Sequence, residues 1–181
     1  MEHAVVIGGT GMMSGVSCWL GQHGYAVSVV ARRPNKLPCT TLENMNPIAF
    51  DYQHTDELRS VIEQAGVEHG AITLAVCWIH DSAPDAPDVV ANVLNEQGVP
   101  VKYVHVLGSA SADPATWQNG KVATFAHYEN IVYQRVVLGF VIERWSRWLT
   151  HREIATGVIR AIQSKDDVTI VGQIRPWELR P

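Results

Sequence analysis

The sequence predicts an α/β chain whose parallel sheet is doubly wound, with strand order 3-2-1-4-5 continued by strands 6 and 7. Three features carry this. Short, nearly continuous apolar runs rich in Val alternate with stretches of helical periodicity, the pattern of strands covered on both faces by crossover helices. The first run, His3 to Ile7, leads into a glycine-rich segment, Gly8-Gly9-Thr10-Gly11-Met12-Met13-Ser14-Gly15. A second run, Tyr25 to Val30, follows about one helix length later, as a βαβ unit requires. Right-handed crossovers then place a ligand crevice at the switch between strands 1 and 4, the arrangement of a Rossmann fold.

In the turn, Gly8 sits where the chain needs a residue that tolerates positive φ, and Gly11 where a Cβ would hold a pyrophosphate off the backbone. The following helix would aim unpaired N–H groups and a partial positive charge at the phosphates. Gly8, Gly9, Thr10, Gly11, Met12 and Met13 are therefore the first candidate cofactor-binding residues. Met13, Val16, Trp19 and Leu20 form the helix's apolar stripe, and Gly24 stops it. Ala26 to Ala31 is the second strand. Pro34 to Pro47 has no clear periodicity and reads as a loop with a short helix; Ile48 to Phe50 reads as a short third strand.

Thr55-Asp56-Glu57 opens a second helix with a capping hydroxyl and first-turn acids, and Leu58, Val61, Ile62 and Ala65 form its buried face. Ala71 to Ile79 is the fourth strand. Ser82 to Asp88 offers a cap and helix-start prolines, after which Val90, Val93 and Leu94 face the sheet. Val101 to Leu107 is the fifth strand. Past Gly108-Ser109-Ala110-Ser111 the segment Trp117 to Tyr128 is irregular, Ile131 to Glu143 reads as one long sixth strand, and Arg144 to Trp148 as a loop. Thr150 and Glu153 form a capping box for a last helix with Ile154, Val158, Ile159 and Ile162 on its apolar face, before strand seven at Val168 to Val171. No repeat, low-complexity tract or linker divides residues 1–181, which read as a single nucleotide-binding domain.

Hydrophobic residues at 46% and charged residues at 18% describe a soluble globular protein. A formal net charge of −4 and no basic run beyond Arg32-Arg33 exclude a nucleic-acid partner. No apolar stretch approaches the roughly 20 residues of a membrane span, and the start lacks the succession of a signal peptide, so a cytoplasmic protein without a membrane partner is expected. Eight scattered histidines predict no metal site. Cys18, Cys39 and Cys77, odd in number and without CxxC spacing, read as buried or incidental thiols. Trp145, Trp148 and Trp177 read as core or isolated surface residues, the alternative being the lining of a pocket or an interface. Oligomeric state and substrate are not legible, and a homo-oligomer is left open.

The end of strand two carries Arg32-Arg33. Here, about twenty residues past the glycines, an Asp or Glu reads the 2′-hydroxyl of NAD, whereas Arg accommodates a 2′-phosphate. No acid is available, and a guanidinium meets phosphate with paired charge-assisted bonds, so the expected cofactor is NADP. Asp51-Tyr52, ending the third strand, stands where such folds place an Asp near the adenine; the alternative is that Asp51 is a strand-end turn former. Val76 and Trp78 on strand four complete the expected cofactor surface. A dinucleotide fixed at strand one and reaching strand two with its adenosine must extend the other way, towards Trp78, His80, Ser109 and Ser111, with Tyr128 close by.

Gly8 to Met13 resembles the GATGxxG turn of the short-chain dehydrogenase/reductase superfamily, particularly its extended and atypical branches, with Ser14 in place of the third glycine. Arg32-Arg33 is similar to the basic pair of NADP-preferring members, Asp51 to the adenine-site Asp, and Gly108 to Ser111 to the serine-bearing end of strand five. Val136 to Ile162 looks like the late strand and helix of atypical members. The resemblance implies a Rossmann fold and a reductase using a Tyr as proton donor, a Lys four residues later to lower its pKa, and a Ser to polarise a carbonyl. On that ground Ser109, Ser111 and Tyr128 are the catalytic candidates. The Lys is missing: Val132 follows Tyr128 at that spacing and Val137 follows Tyr133. The sequence therefore supports an NADP-dependent oxidoreductase on a small molecule, or else a non-catalytic NADP(H)-binding sensor, with His127 or His80 as other proton donors.

Overall fold

Every main-sheet strand in the computed structural model, which describes residues 1–109 and 124–181, runs parallel to its neighbours. The elements, in chain order, are β1 (His3–Ile7), α1 (Ser14–Gln22), β2 (Ala26–Ala31), β3 (Met45–Ala49), α2 (Thr55–His69), β4 (Ile72–Trp78), α3 (Ala86–Glu96) and β5 (Val101–Leu107). After residues 110–123 come β6 (Ile131–Leu138), β7 (Phe140–Ile142), β8 (Ser146–Trp148), α4 (His151–Gln163) and β9 (Val168–Val171). The sheet order is β3-β2-β1-β4-β5-β6-β9, the expected 3-2-1-4-5 extended by the two late strands.

Strand alternation sorts the core into two layers. Ala4, Val6, Val27, Val29, Val76 and Val104 face α1 and α4, where they meet Val16, Leu20, Ile154 and Val158. Val5, Ile7, Val30, Ala75 and Cys77 face α2 and α3, against Leu58, Ile62, Val90 and Leu94. Each fully buried aliphatic side chain contributes about 1.5–3 kcal/mol, so these two layers are the main stabilising term. The β1 residues Ala4 to Ile7 are all fully buried, as befits the middle strand.

His3, also buried, is neutral in this setting. A carbonyl only accepts, so Nδ1 donates to the Gly70 oxygen at 2.7 Å and Nε2 accepts from the Ser28 hydroxyl at 2.9 Å. Burial, with His69 nearby adding a smaller effect, pulls its pKa below the usual value.

Several local expectations are corrected. Strand three begins at Met45, not Ile48, and contains Pro47; an edge strand tolerates a proline because one side of its ladder is unused. Thr55 is the first residue of α2 rather than its cap, which is His54, and the cap of α3 is Asp85; neither makes a side-chain capping bond. The long sixth strand breaks at Gly139. There the chain passes so close to the backbone of Gln173 that a Cβ would overlap it, and Phe140 exchanges two 2.9 Å backbone bonds with Gln173. The expected loop Arg144 to Trp148 instead contains β8, antiparallel to β7 in a hairpin, with Trp145 72% exposed near its tip.

The reading of all three cysteines as free thiols does not hold. Cys18 on α1 is bonded to Cys39 in the β2–β3 connection, across a sequence separation of 21. Proximity of these two positions depends on how that connection folds back, and sequence spacing carries no trace of it. Cys77 is free and buried, and desolvation pushes its thiol up to about 12.

Candidate functional site

Three connections meet at the C-terminal ends of β1, β2 and β4. The first is the glycine turn. Gly8 has φ +76° and lies against the Trp78 carbonyl, a combination that only glycine accepts, and its N–H donates to Val30 O at 2.9 Å. Gly9 serves packing: a Cβ there would meet Val29 Cγ1 at 2.7 Å and Ser17 Oγ at 2.8 Å, and Ser17 donates to the Gly9 carbonyl at 3.0 Å. It thereby takes the close helix–strand contact expected of a third glycine. Gly11 is different, since a Cβ there would have no protein atom within 4 Å. No side chain caps α1; the Ser14 N–H donates to the Gly11 carbonyl at 3.0 Å, which leaves the next N–H groups of the first turn for an anion.

A cleft of about 630 Å³ opens above this turn, within the range of small-molecule sites. Gly8, Thr10, Gly11 and Met12 form its floor on the β1 side. From β2 and the 3₁₀ turn Pro34–Lys36 come Ala31, Arg32, Arg33 and Lys36. Tyr52, Trp78 and His80 close the side towards β3 and β4, and His151 enters from the first turn of α4. Arg32, Arg33 and Lys36 are exposed, and among the described residues none of them is paired with a carboxylate. Three unpaired cations beside an open helix N-terminus suit a ligand carrying several phosphates.

Sequence reasoning missed Lys36 and His151. Lys36 follows Arg33 by one short turn, a signal that was available. His151 comes from 140 residues after Gly11 and reaches the cleft because α4 packs on α1, where the Cβ of Ala155 would lie 2.9 Å from a Cβ on Gly15. The α4 start is built firmly: Thr150 Oγ1 accepts from the Glu153 N–H, and the Glu153 carboxylate accepts from the Thr150 N–H at 2.8 Å and from Arg147 at 2.9 Å. The Arg147 guanidinium, followed by those Thr150 bonds, holds the Glu153 carboxyl down at about 2.

Other expected residues lie elsewhere. Met13 and Val76 are fully buried in the core facing α1 and α4 and line no part of the cleft. Asp51 accepts from the Gln53 N–H at 3.1 Å, the turn-forming alternative, while its neighbour Tyr52 does reach the cleft and accepts from the His80 N–H at 3.4 Å. Ser109 follows Gly108, whose absent Cβ would stand 3.6 Å from the Trp78 ring. Ser111 lies outside the described residues. Tyr128 is turned away: it is 6% exposed, packs with the α3 layer, and donates its hydroxyl to Asp88 Oδ1 at 2.8 Å. Burial and then Asp88 push that hydroxyl up to about 12. His127, exposed, sets its ring at a tilt of 39° to that of Tyr128, 4.0 Å between centroids, and lines no part of the cleft.

A second cavity of about 630 Å³ lies at the opposite, N-terminal edge of the strands, lined by Leu74, Val101, Lys102 and Val132 among others. Lys102 there donates to the carbonyls of Ile162 and Ser164, closing the C-terminal end of α4, and among the described residues no glycine turn or helix N-terminus lines this cavity. Among the described residues no group of three or more His, Cys, Asp or Glu side chains is placed to hold a metal, and no helix is long and apolar enough to cross a membrane.

No family model matches the chain, and no curated protein matches it either. Solved structures do. A short-chain type dehydrogenase/reductase from Mycobacterium marinum is similar over 97% of this chain and 96% of that one, at 17% identity and a TM-score of 0.72. A citronellol catabolism dehydrogenase from Pseudomonas aeruginosa is similar over 94% and 93%, at 16% identity and a TM-score of 0.70. A short-chain dehydrogenase/reductase from Serratia marcescens is similar over 95% and 96%, at 16% identity and a TM-score of 0.68. Likeness at this identity speaks to the fold alone, and these solved structures share this chain's Rossmann-like α/β fold, a parallel sheet flanked by helices.

Proposed function

We propose that the chain binds NADP(H) in the cleft above the glycine turn and acts as an oxidoreductase on a small molecule. One observation carries the reading: the turn and the unpaired cations Arg32, Arg33 and Lys36 line the same cleft, with no acid at the end of β2 to read a ribose hydroxyl. The backbone from Gly8 to Met12 and the open end of α1 would cradle the pyrophosphate. Arg32 and Arg33 would hold a 2′-phosphate through paired bonds, with Lys36 adding a point charge. The bound nicotinamide supplies the hydride chemistry. The chain's own part is to orient it against Trp78 and to offer a proton from His80, whose ring stands edge-on to Trp78 at 5.3 Å between centroids.

A second reading, a sensor whose partner contacts change with NADP(H), is favoured by one observation. Tyr128 is committed to Asp88 in the α3 layer and has no lysine four residues on. Calorimetry with NADPH and NADH, followed by a panel of carbonyl, quinone and flavin acceptors, tests both readings. Tighter NADPH binding with consumption of the cofactor supports the enzyme, and tighter binding without turnover supports the sensor. Equal affinity for NADH and NADPH overturns the NADP assignment.

A further inference from the structure

The Cys18–Cys39 bond ties α1, which follows the glycine turn, to the β2–β3 connection, which carries the cations of the cleft rim. Cys18 lies one turn along α1 from the phosphate turn. Cys39 lies three residues beyond Lys36, on the connection that begins at the cleft rim with Arg32 and Arg33 and then crosses α1 to reach β3. Beyond the bond, the connection is fastened to the far end of α1 by other means. Asn44 donates to the carbonyls of Gly21 and Tyr25, both at 2.7 Å, and Met45 and Leu42 pack where a Gly21 side chain would stand. On the cleft side, Pro34 and Leu37 are buried in and after a 3₁₀ turn, but the three cations are exposed and, among the described residues, paired with no carboxylate. Among the described residues, the disulfide is thus the one covalent cross-link, apart from the main chain through β2, between the segment carrying the cations and α1.

We propose that Cys18 and Cys39 form a thiol-controlled latch on NADP(H) affinity, an inference that rests on the reading of the cleft as an NADP(H) site. Arg32 is placed by the end of β2, and the bond restrains the segment carrying Arg33 and Lys36 against α1, so the 2′-phosphate and the pyrophosphate are met by a preorganised site. Its reduction by a dithiol balances as a thiol–disulfide exchange. A thiolate of the dithiol attacks Sγ of Cys18, the partly exposed partner, the S–S bond breaks, and Cys39 leaves as a thiolate that takes up a proton. The second thiol of the reagent then displaces Cys18 from the mixed disulfide, leaving two protein thiols and an oxidised, cyclised dithiol. Asn44, Leu42 and Met45 keep the connection attached to α1 and β3, so the fold persists while the segment from Arg33 to Cys39 gains freedom. Buried Cys77, in the opposite core layer, takes no part.

The test uses the full chain, oxidised or treated with dithiothreitol, titrated calorimetrically with NADPH and with NADH. Alkylation under denaturing conditions counts one thiol in the oxidised protein and three in the reduced one. Reduction is expected to weaken NADPH by roughly tenfold, the worth of one charge-assisted bond, and NADH by less than about twofold. A Cys18→Ser/Cys39→Ser double variant is expected to bind NADPH like the reduced protein and to ignore dithiothreitol, with circular dichroism showing the fold retained. Should that variant fail to fold, the comparison within the wild-type chain decides alone. Equal NADPH affinity in the two thiol states overturns the latch and leaves the NADP(H) site standing. Three thiols in the protein before any reductant also overturn it. Absence of NADPH binding in both states overturns the cleft reading and the latch together.

Discussion

Tyr128 donates its hydroxyl to the Asp88 carboxylate at 2.8 Å, tying the segment that enters β6 to the first turn of α3. The ring is enclosed between Phe125 and the α3 side chains, and the hydroxyl, pushed up to about 12, is a poor acid at neutral pH. Tyr128→Phe is therefore expected to lower stability by about 1 kcal/mol through the lost hydrogen bond while leaving NADPH affinity and any turnover unchanged. Urea unfolding and an acceptor assay on the same preparation check it; loss of turnover with unchanged stability would return Tyr128 to the catalytic list.

Gly8 and Gly11 separate folding from binding. A Cβ on Gly8 faces both an unfavourable φ and the Trp78 carbonyl, so Gly8→Ala is expected to cost about 1–3 kcal/mol and lower the melting temperature. Gly11→Val meets no protein atom within 4 Å of its Cβ, so its melting temperature should stay near that of the wild type. Its side chain would occupy the cleft, and NADPH and NADH affinity should both fall at least tenfold. Normal NADPH binding by Gly11→Val would place the pyrophosphate elsewhere.

The cations should act on NADP alone. Arg32→Ala, Arg33→Ala and Lys36→Ala are each expected to weaken NADPH by roughly tenfold and NADH by little, because a charge-assisted bond to phosphate is worth about 1.5–3 kcal/mol. Raising salt should reduce NADPH affinity more steeply than NADH affinity, since all three side chains are exposed to screening. Titrations at two ionic strengths measure both effects.

His3 gives the fold a pH dependence. Its folded pKa lies below the unfolded value of about 6.5, so the unfolded state binds the proton more readily in the window just beneath that value. The stability is complete above about pH 6.5 and is lost as the pH falls towards the depressed folded pKa. Melting curves between roughly pH 7 and pH 5 should show this loss in the wild type, and His3→Gln should lack that component. Parallel pH slopes for the two proteins would exclude His3 as its source.

Much of the architecture was legible because it is written in local patterns. Strands β1, β2, β5 and β9 are apolar runs bounded by turn residues, and Thr150 with Glu153 announces the start of α4 within four positions. Gly8 was readable for the same reason, since a turn directly after a buried strand demands positive φ. Strand β3 was placed late because Pro47 masks an edge strand, and the break at Gly139 was invisible because it answers to the backbone of Gln173, far along the chain.

The glycine turn and the basic end of β2 were determined by the sequence itself, because each depends on residues within a few positions of one another, and the strand order followed from the alternation of strands and helices joined by right-handed crossovers. Tertiary structure alone decided which distant residues share a space. It brought His151 to the cleft, turned Tyr128 to Asp88, enclosed Val76 and Met13 in the core, and joined Cys18 to Cys39. The physical reason is that these encounters follow from how α4 packs on α1 and how the β2–β3 connection folds back across the helix. Such contacts are set by the summed packing of whole elements and leave no mark in the spacing of the residues that meet.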